Sequence, residues 1–191
     1  MSEYMRLRID DFSKLELLNQ SHAEELFELI DSNREYLRNW LPWLDNNRYL
    51  QNTIDFIGIS QIQYERNETQ QYAISYKDEL CGVVGFHRID WLNRSTSIGY
   101  WLGERYQGKG LITRACSTVL DYSFGRMGLN RIEIRCATEN LKSRAIPQRL
   151  GFKEEGLIRQ AEWLYDHYVD HVVYGMLESQ WLNNEKLVIN T

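Results

Sequence analysis

The sequence predicts one α/β domain of the α+β kind, a mixed, mostly antiparallel sheet of six or seven strands flanked by helices. Three observations predict it. The chain has 191 residues with 43% hydrophobic and 26% charged side chains, enough for one core and asking for no second domain. Residues 70–76, 80–90 and 94–102 are rich in β-formers and joined by short polar links, so they read as an antiparallel meander. After them the order becomes loop, helix, strand, helix, strand, strand, which is not the regular alternation of a doubly wound sheet.

Taken in order, residues 5–9 and 14–19 alternate enough to be short strands or edges. Ser21 with Glu24 forms a capping-box pattern that opens a helix through Ala23, Leu26, Phe27 and Ile30. Residues 33–44 continue as helix or helical turn to about Pro42. Asn52 or Thr53 starts another helix, with Ile54, Ile57 and Ile62 inward, lasting to about Asn67. Past the meander, Leu111, Ile112, Ala115, Val119, Leu120 and Phe124 share one face of a helix over 110–127, stopped by Gly128. Residues 131–137 form a strand and 140–150 a short helix, which Pro147 should kink or limit to a turn or two. Two late strands lie near 153–160 and 168–177.

Composition also excludes. A net charge of −5 with scattered Lys and Arg argues against a nucleic-acid partner. The charged start MSEYMRLRIDDF does not fit a signal peptide, and no apolar run approaches the ~18 residues of a membrane span. Cys81, Cys116 and Cys136 are odd in number and widely spaced, which suits the reducing cytoplasm rather than a disulfide framework or zinc site. The pair His167 and His171 sits among β-formers and reads as strand decoration, so no metal is expected.

The stretch Gly103–Gly110, GERYQGKG, resembles a phosphate-binding Walker loop but carries Gly110 where Mg²⁺ requires Ser or Thr. It follows a strand and precedes a helix, where glycine amides and the helix dipole create an anion site. A loop without a metal ligand can hold a pyrophosphate that is bound and not cleaved, as in coenzyme A.

Arg105-Tyr-Gln-Gly108-Lys-Gly110 resembles the (Gln/Arg)-x-x-Gly-x-(Gly/Ala) signature of the GNAT N-acetyltransferase superfamily. Ile98-Gly-Tyr-Trp-Leu102, Asn140-Leu-Lys-Ser143 and Arg149-Leu-Gly-Phe152 resemble its RimJ/RimL branch, which includes ribosomal-protein Nα-acetyltransferases. The likeness runs from about residue 14 to 178 of a single domain taken as 1–191. It implies that strands 94–102 and 131–137 are parallel and splay apart to admit acetyl-CoA. Ile98, Tyr100, Trp101 and Leu102 would flank the pantetheine. The amides of Gln107, Gly108, Lys109, Gly110, Leu111 and Ile112 would wrap the pyrophosphate, with charge from Arg105 and Lys109. Asn140, an N-cap by residue type, would touch the pantetheine arm. Ser143 would assist the leaving thiolate, while Cys136 reads as buried filler.

Several relatives carry an acid where this chain has Ser97, and a lone serine is no base near neutral pH. A water chain, Glu104, Asp90 or His87 could serve, or an α-amine of pKa ~7.7–8.0 could need little help. Trp40, Trp43 and His87 are expected to frame the acceptor, within an aromatic group that includes Tyr36 and Tyr49. The implied reaction is acetyl transfer to a primary amine, the N-terminal α-amine of a (ribosomal) protein first. A small amine (polyamine, amino acid or aminoglycoside) or a non-catalytic acyl-CoA-binding domain is the alternative. The acidic balance suits a cationic acceptor somewhat better than an acidic ribosomal protein. Homodimers are common among such proteins.

Overall fold

The computed structural model describes residues 5–182, so the ends of the 1–191 domain, 1–4 and 183–191, lie outside the described residues. Eight strands form one sheet in the order β1-β2-β3-β4-β5-β6-β8-β7. They are β1 (Arg6–Arg8), β2 (Ser13–Leu17), β3 (Gln71–Tyr76), β4 (Glu79–Phe86), β5 (Ser95–Leu102), β6 (Arg131–Ala137), β7 (Lys153–Leu164) and β8 (His167–Leu177). The count exceeds six or seven because both short N-terminal segments pair as full strands. The helices are α1 (Ala23–Ser32), α2 (Arg34–Arg38), α3 (Leu50–Glu65), α4 (Leu111–Gly125) and α5 (Leu141–Arg149).

Several local expectations shift. The cap of the first helical segment forms two residues early: Asn19 Oδ1 accepts from the Ser21 amide, and His22 Nδ1 accepts from the Asn19 amide. α2 stops at Arg38, well before Pro42. α3 begins at Leu50 and buries Thr53, Ile57 and Ser60, leaving Ile62 half exposed on the outer face. The strand expected over 80–90 ends at Phe86, where the chain turns through 87–94. Pro147 does not cut α5 short, since the helix runs nine residues. β7 reaches Leu164 because a register break between Ile158 and Glu162, with Gln160 at φ 51°, absorbs the polar stretch.

Every strand pair is antiparallel except β5–β6. That parallel ladder runs only from Ser95↔Arg131 to Ile98↔Ile134, yet β5 continues to Leu102 on β4 and β6 to Ala137 on β8. The sheet therefore opens into a slot beyond Ile98 and Ile134. Beneath it, Arg131 pairs with Glu133 and Glu155, and Glu133 also holds Arg135, fastening the closed end. Burial pushes the Glu133 carboxyl up, but the bonds from Arg131 and Arg135 outweigh it and hold the group below the usual carboxylate range.

β4 is buried from Leu80 to Phe86, with α1 and α4 both packed on it. α4 supplies Leu111, Ala115, Cys116, Val119 and Leu120, all essentially inaccessible, which fixes its N-terminus beside the slot.

Candidate active site

The slot and the loop are adjacent by construction. Ser97 C=O accepts from the His87 amide at 2.9 Å and Gly103 N–H donates to Cys81 C=O at 2.9 Å, so odd-numbered peptide groups of β5 face β4. Those of Ile98, Tyr100 and Leu102 face the slot instead, and past Ile98 they have no strand to pair with. The chain then makes a 3₁₀ turn, Glu104–Tyr106, and passes through Gly108 (φ 73°) and Gly110 (φ 69°) into α4. No side chain caps α4, so the first-turn amides after Gly110 point outward unfilled. At Gly108 a Cβ would meet nothing within 4 Å; the left-handed backbone alone demands glycine there.

The loop is pinned from below. Arg114 bonds Lys109 C=O at 3.0 Å and Asp10 at 3.0 Å, and Lys109 Nζ caps Arg105 C=O at 2.7 Å. Arg105 turns away toward Glu79 and Tyr106, so its charge is already engaged. Gln107 Oε1 accepts from Lys142 at 2.9 Å across the slot, while Gln107 Nε2 is buried without a partner. A slot edge of free amides and carbonyls, unfilled helix amides and an orphaned Nε2 together fit an extended ligand with amides and a pyrophosphate.

On the α4–α5 side of the sheet, three side chains converge. Asn140 caps α5 through its Oδ1, which accepts the Ser143 amide at 3.1 Å. Ser143 Oγ lies 3.2 Å from Cys136 Sγ and 3.4 Å from Tyr100 Oη, and Tyr100 Oη donates to Ser143 C=O at 3.0 Å. Burial pushes the Cys136 thiol up and holds the Tyr100 phenol well above the usual tyrosine range, so both keep their protons. Cys136 is buried as expected but is also a direct partner of Ser143, and the Tyr100 hydroxyl was not foreseen. Neither has a local sequence signal, since β5, β6 and α5 bring them together.

The opposite face is charged and open. His87 Nδ1 meets Ser97 Oγ at 2.9 Å, and the ring lies on Gly99, where a Cβ would stand 3.0 Å from Cε1. His87 is exposed, yet desolvation by the protein atoms around it lowers its pKa; Arg135 adds in the same direction, and Ser97 and Glu162 oppose. Glu162 on β7 faces His171 on β8 at 3.5 Å. Glu162 falls between the two strands that sequence patterning puts at 153–160 and 168–177. Asp90 is held by Asn93 within the 90–95 turn, and Glu104 heads the 3₁₀ turn of the loop; no bond of either reaches the His87–Ser97 pair.

Trp40 lines a cleft of about 690 Å³ with Arg38, Ala137, Thr138, Glu139 and the β7–β8 turn. Trp43 instead packs on Trp101 with ring centroids 6.3 Å apart, and Tyr49 is 72% exposed, away from the expected aromatic group. Tyr165 closes the rim: its hydroxyl bonds Leu41 C=O at 2.5 Å and Arg38 stacks on its ring at 3.7 Å.

The family model "Acetyltransferase (GNAT) domain" matches residues 14–153. This chain belongs to the GNAT acetyltransferase family. YdaF of Bacillus subtilis (strain 168) is 35% identical over 91% of this chain and 96% of its own length. The ribosomal-protein-serine acetyltransferase of Escherichia coli (strain K12) is 31% identical over 91% and 98%. The structure of RimL, a ribosomal L7/L12 alpha-N-protein acetyltransferase in complex with coenzyme A, superposes with a TM-score of 0.88 at 26% identity, covering 91% of this chain and 98% of that one. The protein is an acetyl-CoA-dependent N-acetyltransferase. Among the described residues no helix is long and apolar enough to cross a membrane.

Proposed function

We propose that this enzyme acetylates the N-terminal α-amine of a protein, a ribosomal protein first, with the slot between β5 and β6 as the donor site. The observation that carries this reading is the slot itself. It has on one face an uncharged hydroxyl–thiol–phenol group, Cys136 buried and Tyr100 and Ser143 half-buried, and on the other the charged group of Arg135, Glu162 and the two histidines His87 and His171. Acetyl-CoA would lie between, its pantetheine amides meeting Ile98, Tyr100 and Leu102, with Trp101 and Asn140 beside it. Its pyrophosphate would rest on the amides of Gln107–Ile112.

In this arrangement the amine attacks the thioester carbonyl from the charged face and the sulfur leaves toward Ser143. A thiol of pKa ~8.5 is a fair leaving group, so a hydroxyl hydrogen bond is enough assistance. Ser97 cannot take the proton from the amine; its hydroxyl hydrogen-bonds His87 Nδ1 at 2.9 Å and holds the ring on this face. The proton goes to Glu162, a carboxylate on the same face that also attracts the incoming ammonium, with His171 holding it in place. Trp40 on the cleft wall would bound the acceptor's first residue. Three buried free cysteines suit a reducing cytoplasm.

Thiol release from acetyl-CoA, measured with peptides ending in free α-amines, the same peptides blocked, polyamines and amino acids, tests the acceptor. Free N-terminal peptides should react and blocked ones should not; preference for a polyamine would overturn the protein acceptor. Acetyl-CoA at ~100 times its dissociation constant should stabilise the fold by ~2.7 kcal/mol, roughly 5–10 °C in Tm. No shift would overturn the donor site.

A further inference from the structure

Ser143 is the residue through which the proposed mechanism assists the thiolate, and its side chain is held by more than the helix it belongs to. Tyr100 stands on β5 two residues past the last β5–β6 register pair, so its backbone faces the open slot. Its side chain leaves toward α4 and α5 and spans the slot at the level of the first turn of α5. There the hydroxyl makes two contacts with one residue: it donates to Ser143 C=O at 3.0 Å and lies 3.4 Å from Ser143 Oγ.

The donor and acceptor inventory gives these contacts a direction. A phenol has one proton, which is committed to the Ser143 carbonyl, so its lone pairs are what Ser143 Oγ–H can find. The Cys136 thiol lies 3.2 Å from Ser143 Oγ on the other side, where either group can donate. Cys136, Ser143 and Tyr100 thus form one hydrogen-bonded chain in which the Ser143 proton, held only loosely at 3.4 Å, is free to turn to the leaving sulfur, while the Tyr100 proton stays on the Ser143 carbonyl at 3.0 Å. All three groups are uncharged, and the chain ends on the backbone of the residue it orients. Asn140 fixes the same turn from the other end through the Ser143 amide. Both backbone groups of Ser143 are thus tied, one by Asn140 and one by Tyr100.

We propose that Tyr100 is a positioning residue for Ser143, acting through its hydroxyl to fix the first turn of α5 and to aim Ser143 Oγ at the leaving sulfur. The inference rests on the reading of Ser143 given above. A residue that merely packs the slot would slow the enzyme whether or not Ser143 retained its hydroxyl. A residue that aims Ser143 has nothing to aim once that hydroxyl is gone.

The test is a double-mutant cycle with Tyr100→Phe, Ser143→Ala and the pair. Phe keeps the ring and removes one oxygen, and a coenzyme A thermal shift equal to the wild type's establishes that the variant retains the donor site. Tyr100→Phe should lower kcat roughly fivefold, the scale of one hydrogen bond, with the KM for acetyl-CoA within twofold of the wild type. In the Ser143→Ala background the same substitution should change kcat less than twofold. An equal fall in both backgrounds, or no fall in the wild-type background, overturns the role of Tyr100 alone. Full activity of Ser143→Ala overturns the reading of Ser143 and this inference with it. Should Tyr100→Phe lose the thermal shift, Cys136→Ala, which removes the other end of the chain, takes its place in the cycle with the same criteria.

Discussion

The two faces of the slot are built from the same strands and differ in nearly every physical respect. Toward α4 and α5 lie Tyr100, Cys136 and Ser143: uncharged, enclosed, and kept protonated by burial. On the opposite face lie His87, Arg135, Glu162 and His171, on which solvent and charge both act. The alternation of a strand makes this possible, since Cys136 and Arg135 are neighbours in sequence and point to opposite faces. The difference matches what each half of an acyl transfer requires. A departing thiolate needs a dry donor that does not ionise, whereas an arriving ammonium needs a negative charge and a route for its proton.

The largest effect expected from perturbing this contrast falls on the charged side. Glu162→Gln keeps shape and removes the base, so kcat/KM for the acceptor should fall about 100-fold while acetyl-CoA affinity is unchanged. A fall below threefold in steady-state rates would mean that the carboxylate is not the base. On the dry side, Ser143→Ala should lower kcat at least roughly tenfold, again without loss of donor affinity, because the hydroxyl assists a leaving group that can depart alone.

A smaller effect should come from His87. Its folded pKa lies below the ordinary ~6.5, so the folded protein binds fewer protons than the unfolded chain near that pH. Its contribution to stability is therefore complete above the unfolded value and is lost as pH falls through the lowered folded one. Charging the ring also sets a cation beside Arg135 and the incoming ammonium. The acceptor KM should rise as pH falls below about 6.5, and His87→Gln should flatten that rise. A variant with the wild-type profile would remove His87 from the acceptor side.

On the loop the effect is on stability and not on rate. Ala at Gly108 meets no neighbour, so Gly108→Ala should cost only the left-handed backbone penalty of about 1–2 kcal/mol, roughly 2–8 °C in Tm. An unchanged melting temperature would show that the backbone there is not held at positive φ.

Much of this architecture was legible because local signals agree with it. The meander, the apolar face of α4 and the glycine loop depend on neighbours in sequence, and each lies close to where patterning puts it. What was illegible depends on partners far along the chain. Ser21 and Glu24 match a capping box, but Asn19 takes the cap because His22 answers it, so two patterns competed within residues 19–24. Ile62 reads as inward by period, yet Thr53, Ile57 and Ser60 define the face that α1 covers. Glu162 is hidden because patterning ends the strand near 160; it joins β7 only through its pairing with Val169 of β8, beyond the register break that follows Ile158. The Tyr100–Ser143 contact joins residues 43 apart and leaves no trace in either segment alone.

The four-residue ladder between β5 and β6 has one further consequence, for what can enter the sheet. A sheet normally exposes unpaired backbone only at its outer margins, where any passing strand can add to it. Here an unpaired margin lies in the interior, with β4 on one side and β8 on the other. An arm bearing amides can lie along that margin and complete the sheet as a missing rung. The donor is then read by backbone that the sheet leaves over, and amide exchange at Tyr100 and Leu102 should slow when coenzyme A is added.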